Sequence, residues 1–143
     1  MVKHVLVAVD GSEGARRALV FARGLAEQVG AELTALTVVE PPSMLPIGPL
    51  EGFLTTAPSP SPEAVARAHQ MLTEVAAGFP AERLHVRADL GHPVDALLQI
   101  AQEVGADLIV VGARGLNPAQ RFLLGSVSDR LVHHADRPVV VVR

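Results

Sequence analysis

The chain has 143 residues, 49% of them hydrophobic, with 12 basic and 15 acidic side chains and a net charge of −3: one domain, of a size that buries about 68–70% of its unfolded surface, and without the basic face that nucleic-acid phosphates require. Cysteine, tryptophan and tyrosine are absent, which excludes thiol chemistry, a disulfide framework and most stacking platforms for single strands. No apolar run approaches the ~20 residues of a bilayer span, and MVKHVLVAVDGS lacks the pattern of a secretory signal, so a cytoplasmic protein with no membrane or nucleic-acid partner is expected.

KHVLVAV (3–9) is short, apolar and β-branched, as in a strand buried on both faces. Ser12 then caps a helix over 13–29, with Ala18, Ala22, Leu25 and Val29 on one stripe and Gly30 at its end. ELTALTVV (32–39) is the second strand. Residues 41–62 carry seven prolines and little periodicity, and predict a long loop; its length suggests a lid or a partner-facing segment, with disorder as the alternative. A second helix runs from Ser61 or Pro62 to Ala77, with Val65, Ala68, Leu72, Val75 and then Phe79 three and four apart. RLHVRADL (83–90) is the third strand, Pro93 opens a helix that ends at Gly105, and DLIVVG (107–112) is the fourth strand. A last helix from Gly125-Ser126 to Ala135 leads into a fifth strand, RPVVVVR (137–143).

Five strands alternating with four helices predict a parallel sheet covered on both faces. In such sheets ligands bind beyond the carboxyl ends of the strands, where the strand order reverses. VDGSE (9–13) follows the first strand and GARG (112–115) the fourth. They meet if the reversal lies between those strands, an order that periodicity leaves open. Gly112 and Gly115 allow a tight turn or a close approach to a ligand. Gly125-Ser126 opens a helix, whose free N–H groups form an anion site, with the Ser126 and Ser128 hydroxyls as further donors. This chemistry suits a di- or triphosphate, although the spacing is neither that of a P-loop nor G-x-G-x-x-G. Turn and cap glycines with no ligand remain the alternative on the residues alone.

GARGLNPAQRFLLGS resembles the universal stress protein signature G-x2-G-x9-G-[ST], with Gly112, Gly115, Gly125 and Ser126 at its four fixed places. HVLVAVDGSEGARRAL resembles the family's first strand and loop, GADLIVVGARG its fourth strand and RPVVVV its last. The resemblance implies a single α/β domain, Rossmann-like, with five parallel strands in the order 3-2-1-4-5, and the branch of the family that binds ATP. It implies that Asp10 holds the ribose hydroxyls, that the backbone near Ala8 and Val9 lies alongside, and that Val38 meets the adenine edge. Gly112, Arg114 and Gly115 would lie against ribose and phosphates, and Gly125, Ser126, Val127 and Ser128 would cradle the β- and γ-phosphates. Ala8 stands where some relatives have proline, and Arg114 is at a variable position. The resemblance also implies a homodimer paired through strand 138–142, whose apolar edge would otherwise be an aggregation hazard.

Hydrolysis needs a placed water, a base and usually Mg²⁺. Asp10 already has the ribose role, Asp129 suits the first turn of a helix, and His133 and His134 suit its C-terminal end. His69 and His85 read as core or surface residues, while His92 sits in a loop at a strand's carboxyl end, within possible reach of a ligand. No spacing of His, Asp and Glu suggests a transition-metal site, and Mg²⁺ would be held mostly by phosphates and water. The expectation is therefore a nucleotide-dependent regulatory module of the stress response, contacting adenine nucleotide and an unidentified protein. A slow ATP hydrolase and a nucleotide-independent dimeric scaffold are the alternatives.

Overall fold

A computed structural model describes residues 1–40, 44–46, 53–55, 62–115 and 124–143. The elements in chain order are β1 (His4–Ala8), α1 (Glu13–Val29), β2 (Glu32–Val39), β3 (Met44–Pro46), β4 (Phe53–Thr55), α2 (Pro62–Ala76), β5 (Leu84–Leu90), α3 (Pro93–Glu103), β6 (Leu108–Gly112), α4 (Ser126–His134) and β7 (Val139–Val142). Five strands form one sheet in the order β5-β2-β1-β6-β7, and every neighbouring pair is parallel. This is the expected 3-2-1-4-5 order. The stretch 41–62 differs from the expected uninterrupted loop, because β3 and β4 form a separate antiparallel pair, while α2 begins at Pro62 as expected. The remainder of that stretch, with the lid or partner role expected of it, lies outside the described residues.

The alternation of β1 separates two cores. Val5, Val7 and Val9 pack with Ala18, Leu19, Ala22 and Ala26 of α1 and with Ala68, Met71 and Val75 of α2. Leu6 turns to the other face, with Leu97 and Ile100 of α3 and Leu131 of α4. From β1 the chain passes through α1 to β2 on one side, and from β6 through α4 to β7 on the other, so its direction across the sheet reverses between β1 and β6. Ser12 caps α1 by accepting from the Ala15 N–H, and Gly30 ends it at φ 72°, a left-handed conformation open to glycine without Cβ strain.

The amino end of the sheet is closed by polar side chains. Asp107 accepts from the Lys3 and His4 N–H groups at 2.7 and 3.0 Å, and these bonds hold its carboxyl below the usual carboxylate range. His4 is buried, with Nε2 2.7 Å from Thr34 Oγ1, and desolvation lowers its pKa from the ordinary value. Arg137 donates to the carbonyls of Ala101 and Ala106 at 2.7 and 2.8 Å, tying the end of α3 to the entry of β7. Among the described residues no helix is long and apolar enough to cross a membrane.

Candidate functional site

β1 and β6 are adjacent, with Val5, Leu6 and Val7 opposite Leu108, Ile109 and Val110, so the loops that follow them emerge side by side. Three pieces of main chain then converge: the first turn of α1, the loop after β6 and the entry of α4. Glycine makes that convergence possible. A Cβ on Gly112 would stand 2.5 Å from the Gly14 carbonyl carbon, and one on Gly14 would collide with the Arg114 carbonyl oxygen. A Cβ on Gly125 would lie 3.3 Å from both the Ala113 oxygen and the Arg114 Cα. Gly112 and Gly14 thus serve backbone-to-backbone packing of β6 against α1. Gly14 is the participant that the sequence reading missed; its signal was a poor helix former placed in the first turn of a helix.

Gly115 has a different neighbour. Its added Cβ would meet Asp10 Oδ2 at 2.8 Å, so a side chain there would press on that carboxylate. Asp10 Oδ1 accepts from the Ser12 N–H at 2.9 Å, which fixes the side chain at the head of α1 and leaves Oδ2 on the Gly115 side. Across the junction, the Gly125 N–H donates to the Ala113 carbonyl at 2.6 Å. The buried Ser128 hydroxyl donates to the Ala113 and Gly125 carbonyls, each at 3.0 Å. Ser128 therefore holds α4 to the loop through its hydroxyl, and its backbone N–H is what it can offer an anion. The N–H groups of Ser126, Val127 and Ser128 lie in the first turn of α4, where the helix supplies no acceptor.

The other predicted residues fall around this junction in an orderly way. Val9 is buried and its N–H donates to the Leu36 carbonyl at 2.9 Å, so it presents main chain only. Ala8 pairs with Leu36, which puts Val38 two residues further out along β2. Arg114 and Gly115 are exposed on the loop. A cleft of about 480 Å³ opens at Gly115, between the cap Ser12 with Glu13 and Arg16 of α1 and Arg67, Gln70 and Met71 of α2.

The histidines stand apart. His133 and His134 engage the Asp129 and Arg130 carbonyls at 2.8 Å within α4, as their position near its end suggested. His85 pairs with Glu32 at 3.0 Å, and the exposed His92 lies 3.6 Å from Glu40. Among the described residues no group of three or more His, Asp or Glu side chains is placed to hold a metal ion.

A doubly wound α/β domain with a glycine-built junction at its switch point is the class that this geometry defines. The sequence pattern described as the universal stress protein family matches residues 1–143. A Staphylococcus epidermidis protein assigned by name to the universal stress proteins is 34% identical over 142 residues, covering 99% of this chain and 84% of that one. A universal stress protein crystallised in complex with cAMP is 27% identical with a TM-score of 0.72, over 99% of this chain and 97% of the other. The universal stress protein from Archaeoglobus fulgidus in complex with dAMP is 26% identical with a TM-score of 0.59, over 100% of both chains. The chain belongs to the universal stress protein family.

Proposed function

We propose that this chain binds ATP where the loops after β1 and β6 meet the start of α4, and that it acts as a nucleotide-dependent regulatory module of the stress response. The observation that carries the reading is the space beside Asp10. Only glycine at 115 keeps a Cβ clear of Oδ2, while Oδ1 is already engaged by Ser12, so among the described residues one carboxylate oxygen is kept open for a ribose. The structures holding cAMP and dAMP support an adenine nucleotide as the ligand class.

In this reading Asp10 takes the ribose hydroxyls, the main chain of Ala8 and Val9 lies alongside, and Val38 meets the adenine edge. Gly112, Arg114 and Gly115 lie against ribose and phosphates. The Ser126 hydroxyl and the N–H groups of Ser126, Val127 and Ser128 take the β- and γ-phosphates at the positive end of the helix. Gly125 contributes through its conformation, since its N–H is bonded to Ala113. Mg²⁺, when present, is held by phosphates and water. Pairing of two chains through β7, and a protein partner that senses the nucleotide, complete the proposal.

The test is calorimetric titration of ATP and AMP into the nucleotide-free chain and into Asp10→Asn. Asparagine keeps the acceptor for Ser12 and removes the charge. A hydrogen bond to a charged group contributes about 1.5–3 kcal/mol, so affinity falls by roughly 10- to 150-fold. ATP binding more tightly than AMP assigns the α4 turn to phosphates. Unchanged affinity in Asp10→Asn and in a folded Gly115→Val would overturn the site.

A further inference from the structure

The edge of the sheet opposite β7 is a strand whose pattern is complementary to itself. Among the described residues, β5 is hydrogen-bonded in the sheet to β2 alone, and Gly91, just after it, donates its N–H to the Val39 carbonyl of β2 at 3.0 Å. Because successive strand residues direct their N–H and C=O groups to alternate sides, those of Val86, Ala88 and Leu90 point away from β2. The Leu90 N–H is taken instead by the neighbouring Asp89 carboxylate at 2.9 Å. Side chains divide the same way. Val86, Ala88 and Leu90 share one face, where Val86 is 52% and Leu90 74% exposed. Arg87 and Asp89 share the other, and Arg87 is paired with Glu103 of α3 at 3.2 Å.

We propose that β5 is a self-association edge, at which two copies of the chain pair antiparallel about a two-fold axis through Ala88. In that register Ala88 faces Ala88 of the second copy, Val86 faces Leu90, and Arg87 faces Asp89. The outward N–H and C=O groups of Val86, Ala88 and Leu90 fall at the hydrogen-bonded positions of an antiparallel ladder, the Leu90 N–H exchanging the Asp89 carboxylate for the Val86 carbonyl of the second copy and releasing that carboxylate to Arg87. The two exposed apolar side chains cover each other, and the charged face forms two Arg87–Asp89 pairs across the axis. Moving the axis by one residue sets Arg87 against Arg87 or Asp89 against Asp89, so charge selects the Ala88 register. A second self-pairing edge, opposite the one proposed for β7, joins dimers into larger assemblies.

The chain has no cysteine, so Ala88→Cys introduces a single thiol at the axis. Hydrogen-bonded antiparallel pairs have Cα atoms about 5.5 Å apart, within the span of a disulfide. Under mild copper–phenanthroline oxidation, Ala88→Cys forms covalent dimers faster than Glu63→Cys on exposed α2. Adding Arg87→Asp slows the cross-link about tenfold, and adding Asp89→Arg to that variant restores it. Pairing through β7 leaves the two Ala88 positions at opposite ends of the assembly and cannot produce this link. As a check independent of Arg87 and Glu103, Ala88→Pro, tolerable because this N–H makes no bond to β2, lowers the mass measured by sedimentation equilibrium. The proposal is overturned if Ala88→Cys cross-links no faster than Glu63→Cys, if the charge exchange fails to restore the rate, or if Ala88→Pro leaves the mass unchanged.

Discussion

The packing role of glycine is tested by making the same substitution where its surroundings differ. At Gly112 an added Cβ stands 2.5 Å from the Gly14 carbonyl carbon, 2.7 Å from its oxygen and 2.9 Å from its Cα. All three neighbours are main-chain atoms in the first turn of α1, so no side chain can swing aside and the helix must move away from β6. Overpacking of this kind costs about 1–3 kcal/mol, a large share of a stability of roughly 5–15 kcal/mol. A chain of 143 residues unfolds with an entropy of about 0.3 kcal/mol/K, so the Tm of Gly112→Ala falls by ~3–10 °C.

Gly24 lies within α1 and a Cβ there meets nothing within 4 Å. Gly24→Ala therefore removes only unfolded-chain entropy and a poor helix propensity, raising stability by about 0.5–1 kcal/mol, or ~2–3 °C. Melts followed by far-ultraviolet circular dichroism in one buffer compare the two. Displacing α1 from β6 also disturbs the approach of Asp10 to Gly115, so under the proposed function ATP affinity weakens in Gly112→Ala and is kept in Gly24→Ala. Equal melting of Gly112→Ala and the parent, or shifts of the same sign in both variants, would refute the packing argument.

Three further outcomes follow from the described contacts. Burial lowers the pKa of His4 in the folded chain below its unfolded value of about 6.5. The unfolded chain therefore binds that proton more readily, so this contribution to stability is intact above pH ~6.5 and declines as pH falls toward the folded pKa. Urea midpoints of His4→Gln should fall less steeply than those of the parent between about pH 7 and pH 5, and parallel slopes would contradict the assignment. Ser128→Ala removes the hydroxyl that joins α4 to Ala113 and lowers Tm by ~3–6 °C through about 1–2 kcal/mol; an unshifted melt would show that the hydroxyl does not hold the helix. Arg137→Met strands the Ala106 carbonyl, while that of Ala101 keeps the Ala106 N–H at 2.8 Å, and costs about 1–3 kcal/mol in urea unfolding. Arg137→Lys recovers only part of this, because one ammonium on a shorter stem cannot replace both the Nη1 bonds to the carbonyls and the Nε and Nη2 bonds to Asp136, and full recovery would argue for charge over geometry.

Much of the fold was legible in the residues because hydrophobic periodicity reports burial directly. The short apolar runs at β1 and β6 are buried from both sides and read as interior strands, and Ser12, Gly30 and Pro93 mark helix ends by backbone chemistry that is local. Periodicity does not report which strand lies beside which; the 3-2-1-4-5 order rested on the resemblance until the β1–β6 pairing placed the two loops together. The short β3–β4 pair was missed because three-residue strands are too brief for a period to register among prolines.

At the candidate site, the sequence by itself determined where Cβ atoms are missing and where a helix begins with free donors. Only the tertiary structure decided what fills each space: the α1 main chain at Gly112, the Asp10 carboxylate at Gly115, and the Ala113 carbonyl beneath the Ser128 hydroxyl. It likewise distinguished the two apolar edges, for β5 and β7 both read as strands while the exposure of Val86 and Leu90 depends on what packs over them. The physical reason is the same in each case. A residue type states what a position can tolerate, while the atoms it meets come from segments distant in the chain, which only the packed fold brings into range.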